Sequence, residues 1–181
     1  MNRARYVALL RGINVGGHRK IQKDELTAIF SGCGFTDVKT LLASGNVIFA
    51  TEESDEASLT AAIESALEGT LGCRVDVMVR SIDYIREMVD RDPFTGYDIA
   101  GKKFYVTFLS QPPISVPTDL PRALPDQNSI AVEVGEREIF TIALKGVDGR
   151  YGDFGKFANE VLGKQAVTTR NWNTVRKILG D

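Results

Sequence analysis

The stretch VKTLLASGNVIFA, residues 38–50, decides the fold of this chain. Its two strand-like runs, residues 38–43 and 46–50, have the length of β-strands. They are joined by the turn-forming stretch Ser-Gly-Asn at 44–46, whose last residue also begins the second run. Two strand-like runs separated by so short a turn predict a β-hairpin. The elements on either side of the hairpin then indicate the type of sheet to which it belongs.

Amphipathic helices are expected on both sides of this hairpin. Apolar residues recur at helical spacing, before it at Leu26, Ile29, Phe30 and Cys33, and after it at Leu59, Ala62, Ile63, Ala66 and Leu67. The first helix should end at Gly34, and the second should begin after the N-cap Ser54 and end near Gly69. Strand-like runs at residues 5–10 and 74–79 complete the element order βαββαβ.

The second half of the chain repeats this order less regularly, after a linking helix over residues 81–90. The sequence predicts a strand at 103–109, a short helix at Leu120–Leu124, a hairpin with a type II′ turn at Gly135-Glu136, a helix over 154–162 and a closing strand at 165–169. A last helix, from Trp172 to Leu179, is expected to be capped by Asn171.

These patterns predict an α+β protein made of tandem ferredoxin-like (βαββαβ) units with an extra C-terminal helix. The predicted domains are residues 1–80 for the first subdomain, 81–101 for the linking helix and loop, 102–168 for the second subdomain and 169–181 for the C-terminal helix.

Composition indicates an ordinary globular chain. It has 181 residues, of which 43 % are hydrophobic and 25 % charged, and a net charge of −2. It contains no apolar run long enough for a membrane span or a signal peptide, and two cysteines are too few for a disulfide framework. We therefore expect a cytoplasmic protein with reduced thiols, no membrane association and no tight binding to nucleic acid.

Topology predicts a candidate site at one edge of the first sheet. In a βαββαβ unit the end of strand 1 lies beside the start of strand 3, and the first helix begins at the same edge. We expect an anion to bind there, because guanidinium, amide and glycine N–H donors converge beside the positive end of a helix. The predicted ligand-binding residues are Arg11, Gly12, Asn14, Gly16, Gly17, Ser44, Gly45 and Asn46. No acidic residue lies near Arg11 in the sequence. The glycines at 12–17 can alternatively serve only to form the turn into the first helix.

A second polar stretch, TTRNWNT at 168–174, extends the candidate site to Arg170, Asn171 and Trp172. Arg170 reaches Arg11 only if a rotation relates the two units suitably. Trp172 can stack on a ligand or hold the last helix against the core, and Asn171 is explained as an N-cap.

Other chemistries do not match the sequence. The spacing of the glycines at 12–17 fits neither a Walker A loop nor a dinucleotide fingerprint. The one histidine, His18, has no histidine or cysteine cluster around it, so we expect no metal, and no cofactor is indicated. A catalytic dyad would require His18 to pair with Ser44, and no catalytic residue is assigned.

Three stretches together, YVALLRGINVGG, SGNVIF and TTRNWNTV, resemble the bacterial family catalogued as domain of unknown function 1697. The resemblance implies two related α+β subdomains of ferredoxin-like type. It implies no activity, cofactor or partner.

Three functions remain open at this point. The first is binding of a small phosphate- or carboxylate-bearing ligand, with or without catalysis. The second is a scaffold or interaction protein in which the same residues hold the subdomains together. The third is binding of single-stranded RNA through strand aromatics, for which the sequence offers Tyr6, Phe49, Phe104, Phe108 and Phe140.

Overall fold

The computed structural model describes residues 3–13, 21–41 and 45–180. These residues form an α+β protein with two antiparallel sheets and five α-helices. They divide into two compact units, residues 3–87 with 177–180, and residues 88–176. Within the described ranges, none of the helices combines the length and the apolar character needed to cross a membrane.

The first sheet has the strand order β2-β3-β1-β4, and all neighbouring strands are antiparallel. The elements of this half are β1 (Ala4–Leu10), α1 (Lys23–Gly32), β2 (Thr36–Leu41), β3 (Asn46–Thr51), α2 (Glu56–Leu71) and β4 (Val77–Ser81). The predicted hairpin is therefore β2 and β3, and the predicted order of elements is confirmed in this half.

The core of the first unit lies between the sheet and its two helices. Alternate residues of β1, Tyr6, Ala8 and Leu10, pack with Phe30 of α1 and Ile63 of α2, and all five are buried. The alternation follows from the pleat, which points every second side chain to the same face of a strand. Burial of these aromatic and aliphatic groups stabilises the unit through the hydrophobic effect.

The ends of α2 differ from those that we predicted. Asp55, and not Ser54, is the N-cap: its side chain accepts a hydrogen bond from the Ser58 N–H at 2.9 Å. The helix continues past Gly69 to Leu71, and Gly72 ends it in the left-handed conformation at φ +67°. Glycine has no Cβ to clash in that conformation, which makes Gly72 the favoured stop.

The second sheet has the strand order β6-β7-β8-β5-β9, again antiparallel throughout. The elements are α3 (Ile82–Arg91), β5 (Lys102–Leu109), β6 (Arg122–Leu124), a 3₁₀ turn (Pro125–Gln127), β7 (Ser129–Val134), β8 (Glu138–Leu144), α4 (Gly155–Leu162), β9 (Val167–Asn171) and α5 (Trp172–Ile178). Its core lies under α4, where Leu109 and Ile139 pack with Phe157 and Val161.

Two predictions for the second half are wrong. The short helix at Leu120–Leu124 is instead the edge strand β6, which pairs with β7 from Arg122 opposite Ala131 to Leu124 opposite Ser129. Prolines at 121 and 125 leave too few residues between them for a helix.

The β7–β8 hairpin is confirmed, but its turn is not type II′ with Gly135 at the first position. Gly135 donates to the Glu138 carbonyl at 2.8 Å, so the turn consists of Glu136 and Arg137. Gly135 also has no positive φ, which a type II′ turn would require of it.

Candidate functional site

The end of β1 lies against the turn between β2 and β3. Leu9 faces Asn46 in the β1–β3 register, and the Leu10 N–H donates to the Gly45 carbonyl at 2.8 Å. Gly45 has φ +72°, and a Cβ added to it would lie 3.1 Å from the Leu10 Cβ and 3.3 Å from the Ile13 Cβ. Only glycine meets both demands without strain, so two of the stretches singled out in the sequence are joined at this point.

Asn46 serves the backbone at this edge. Its side chain is 1 % exposed, and its Nδ2 donates to the Leu41 carbonyl at 3.0 Å. That bond links the end of β2 to the start of β3 and closes the turn between them. The buried amide of Asn46 therefore supports the turn.

Arg11 is paired with an acidic residue that is distant in the sequence. Its backbone N–H donates to the Asp76 carbonyl at 2.9 Å, and its Nη1 donates to Asp76 Oδ2 at 3.1 Å. The other carboxylate oxygen, Oδ1, accepts from Arg74 Nε, also at 3.1 Å. The carboxylate of Asp76 thus lies between two guanidinium groups.

These residues line a pocket of about 320 Å³. Among the described residues its walls are Arg11, Gly12, Arg74 and Asp76. Gly12 has φ +68°, and apart from its two chain neighbours none of the described residues has an atom within 4 Å of the position that its Cβ would take. The side chains of Arg11 and Arg74 are 52 % and 74 % exposed, and that of Asp76 is 23 % exposed. With two guanidiniums and one carboxylate, the described part of the lining has one net positive charge.

The sequence-based site omitted Arg74 and Asp76, although a pattern pointing to them was present. In RVDVMV, residues 74–79, Arg74 and Asp76 alternate with Val75 and Val77, so they face away from the core. The antiparallel pairing of β4 with β1 places the start of β4 beside the end of β1. The reasoning that linked strand 1 to strand 3 applies equally to strand 4.

Four of the predicted site residues, Asn14, Gly16, Gly17 and Ser44, lie outside the described residues, as does His18.

Arg170 belongs to the second unit and is buried. It lies within β9 opposite Val106, and not after the strand as predicted. Its Nη1 donates to Thr168 Oγ1 at 2.7 Å and to the Thr169 carbonyl at 3.0 Å. Burial lowers the pKa of the guanidinium to about 10 because desolvation disfavours the charged form, so Arg170 is still protonated at neutral pH.

Asn171 and Trp172 also make structural contacts within the second unit. Asn171 Oδ1 accepts from the Asn173 N–H at 3.0 Å, which is the N-cap bond predicted for α5. Trp172 is 6 % exposed, and its ring centroid lies 5.3 Å from that of Phe94 in an edge-to-face arrangement. Phe94 in turn contacts Phe104 and Phe140. Trp172 therefore forms part of an aromatic cluster.

Residues 3–140 match the family model described as "Protein of unknown function (DUF1697)". The chain belongs to the DUF1697 family. This DUF1697 chain is also similar in structure to a conserved bacterial protein from Streptococcus pneumoniae, with 23 % sequence identity and a TM-score of 0.70 over 99 % of this chain and 98 % of the other. At that identity the likeness shows the fold alone. A comparison with curated proteins gave no significant match.

The DUF1697 match covers the pocket residues from Arg11 to Asp76 and ends before Arg170. A larger depression in this DUF1697 protein, of about 500 Å³, lies between α1 and α2. Small side chains form much of its lining, together with Glu25 and Cys33, and burial raises the pKa of the Cys33 thiol. Its described lining contains no cationic group, so it does not suit an anion.

The residues that the structure describes contain no group of three or more histidine, cysteine, aspartate or glutamate side chains placed to hold a metal ion. The guanidiniums of Arg11 and Arg74 can recognise an anion by charge-assisted hydrogen bonds.

Proposed function

We propose that this protein binds a small ligand bearing a phosphate or carboxylate group in the pocket lined by Arg11, Gly12, Arg74 and Asp76. One observation carries the proposal: the guanidiniums of Arg11 and Arg74, both at least half exposed, line the same pocket of about 320 Å³. A guanidinium presents five N–H donors in a planar fork that matches the oxygens of carboxylate and phosphate groups. The volume lies at the lower end of the range for small-molecule sites.

Asp76 leaves most of the donors of Arg11 available. It takes up one donor of Arg11, Nη1, and one donor of Arg74, Nε, in the contacts described above. The remaining N–H groups of Arg11 can therefore reach a second anion without breaking its bond to Asp76. Binding alone is proposed, and no residue is assigned a catalytic role.

Thermal-shift and calorimetric titrations with inorganic phosphate, phosphomonoesters and small carboxylates test this function. We expect a saturable ligand response in the wild type that Arg11→Ala and Arg74→Ala each reduce at least about tenfold, because each removes charge-assisted hydrogen bonds. Arg86→Ala is the matched control, since Arg86 is an exposed arginine paired with Asp83 on α3, away from the pocket. Equal responses in all four proteins, or none in any, would contradict the proposal.

We also propose that the two units are tandem ferredoxin-like repeats. Support comes from the strand orders, because β2-β3-β1-β4 has a counterpart in β7-β8-β5-β9. The register of β1 with β4 also matches that of β5 with β9. Tyr6 faces Ser81 and Val7 faces Arg80 in the first unit. Tyr105 faces Asn171 and Val106 faces Arg170 at the equivalent positions of the second. In both units the fourth strand runs directly into a helix. The second unit departs from the pattern where β6 replaces the first helix. An experimental structure with different registers in the two units would refute the repeat.

A cytoplasmic location is part of the same proposal. Cys33 and Cys73 are both free thiols, as is usual for proteins in a reducing compartment. Fractionation of cells that express the tagged protein tests it.

A further inference from the structure

We infer that the ligand of this pocket carries a hydrogen-bond donor, a hydroxyl or an ammonium group, next to its anionic group, and that Asp76 accepts from this donor. The inference rests on the proposed anion binding and narrows the ligand to hydroxy acids, amino acids and phosphomonoesters with a neighbouring hydroxyl. Asp76 then determines specificity, while the arginines supply the affinity for the anion.

The backbone of Asp76 is held beside the pocket. Its carboxylate lines the same pocket as the two guanidiniums, and its side chain is 23 % exposed. The bond from the Arg11 N–H to the Asp76 carbonyl, 2.9 Å long, fixes its backbone next to β1. Asp76 therefore stays in the pocket when a ligand enters, so any anion held by Arg11 lies near a carboxylate.

The carboxylate of Asp76 has hydrogen-bonding capacity left for a ligand. Each of its oxygens accepts one guanidinium N–H in the contacts given above. A carboxylate offers about four lone-pair positions, so Asp76 can accept further donors. A water molecule or a ligand group can supply them at the exposed part of the side chain.

The charges in the pocket favour an anion that also carries a hydrogen-bond donor. A plain anion in the pocket is attracted by two guanidiniums and repelled by Asp76, because like charges at close range raise the free energy of the complex. A hydroxyl or ammonium group beside the anion replaces this repulsion with a hydrogen bond to the carboxylate. The arrangement thus discriminates between anions of the same size according to whether they carry a donor.

NMR titrations with ligands that share one carbon frame test the inference, because they measure millimolar affinities. The phosphate pair is glycerol 3-phosphate and propyl phosphate, and the carboxylate set is alanine, lactate and propionate. The proteins are the wild type, Asp76→Asn, Arg11→Gln and the control Asp83→Asn, which removes an exposed carboxylate paired with Arg86 on α3.

The wild type and Asp83→Asn should bind glycerol 3-phosphate at least about tenfold more tightly than propyl phosphate, since a hydrogen bond to a charged group has that effect. In Asp76→Asn we expect this ratio to fall below about threefold, and the preference for alanine over propionate to disappear, because the carboxylate that accepts the donor is gone. Ratios are compared because the substitution also changes how both arginines are held.

Two failures are distinguishable. If both phosphates bind equally well to the wild type and binding is lost in Arg11→Gln, the protein binds anions but Asp76 does not select among them, and the inference is wrong. If no probe binds to any of the proteins, the proposed function itself is wrong and the inference falls with it.

Discussion

Arg11 and Asp76, 65 residues apart in the sequence, are joined both through the backbone and through a 3.1 Å ion pair. The double link connects the residue that follows β1 to the residue that precedes β4. It gives Arg11 a defined position although half of its side chain faces solvent. The guanidinium is thereby held at the pocket before any ligand binds, which reduces the entropy lost on binding.

Arg11→Ala should leave the unliganded protein almost as stable as the wild type. An ion pair this exposed contributes about 0–1 kcal/mol to the free energy of unfolding. A scaffold role, in which Arg11 belongs to a buried charged network, would instead cost about 3–5 kcal/mol. Urea denaturation at neutral pH measures the difference, and a loss in the larger range would favour the scaffold.

Gly45→Ala should destabilise the protein more than Gly34→Ala. Both glycines have positive φ, which costs alanine about 1–2 kcal/mol. A Cβ at Gly34 meets open space, whereas one at Gly45 lies 3.1 Å from the Leu10 Cβ, and such overpacking adds about 1–3 kcal/mol. The difference between the two variants in the free energy of unfolding isolates the cost of the close approach at Gly45. Equal losses of stability would show that the turn adjusts to the added Cβ at no cost.

Asp55→Ala should lower the melting temperature at neutral pH, whereas Ser54→Ala should not. The hydrogen bonds from Ser58 lower the pKa of the Asp55 carboxyl in the folded state. Because this pKa is lower in the folded state, ionisation of Asp55 stabilises the fold at pH values above the pKa that the residue has in the unfolded chain. This stabilisation is lost as the pH falls through the pKa of the folded state. The melting-temperature loss in Asp55→Ala should therefore shrink on acidification. A larger effect of Ser54→Ala would show that Ser54, the residue predicted from the sequence, is the N-cap.

Trp172→Ala should cost about 3–5 kcal/mol, as expected for a large aromatic side chain removed from a packed core. The neighbouring exposed residue gives the control Asn173→Ala, which should cost far less. Because the chain has one tryptophan, its fluorescence reports this site directly. Emission should be blue-shifted and poorly quenched by acrylamide, and addition of phosphate or carboxylates should leave it unchanged. Strong quenching by a ligand would restore the stacking role.

Short single-stranded RNA should bind with a dissociation constant of about 10⁻⁵ M or weaker at physiological salt, since a chain of net charge −2 neutralises few phosphates. Four of the strand aromatics that could stack on bases, Tyr6, Phe49, Phe108 and Phe140, are at most 5 % exposed. Fluorescence anisotropy with labelled oligonucleotides checks this. Submicromolar binding that persists in moderate salt would reverse our order of functions.

The parts of the fold that were predictable are those in which local pattern and tertiary environment agree. The Ser-Gly-Asn turn and the helical spacing of Leu26, Ile29 and Phe30 specify their elements within a few residues. By contrast β6 has three residues, too few to show a period, and exists because β7 offers an edge to pair with. The N-cap at Asp55 was ambiguous because neighbouring Ser54 is an equally good candidate by residue type.

The candidate site was predictable only in part, for a different reason. Topology alone predicted that the end of β1 meets Gly45 and Asn46, because strand order fixes which ends meet, and there Leu10 and Leu9 are their partners. The partner of Arg11 could be found only by extending the same argument to β4, since charge pairing between strand ends leaves no trace in local sequence. Burial of Arg170 could not be foreseen, because residue type does not reveal which face of a strand is covered. Burial of Trp172 was one of the two roles that the sequence left open.

In the proposed repeat, the edge that corresponds to the pocket lies where β5 ends and β9 begins. There Ser110 takes the place of Arg11, since its N–H donates to the Ala166 carbonyl at 3.0 Å as that of Arg11 does to Asp76. Gln165 closes the gap, accepting from the Gln111 N–H at 2.8 Å and donating to the Leu162 carbonyl at 2.9 Å. Each molecule therefore contains an internal control. In a residue-resolved titration, signals from Ser110 and Gln165 provide the baseline against which perturbations at Arg11 and Asp76 can be judged, and no second protein is needed.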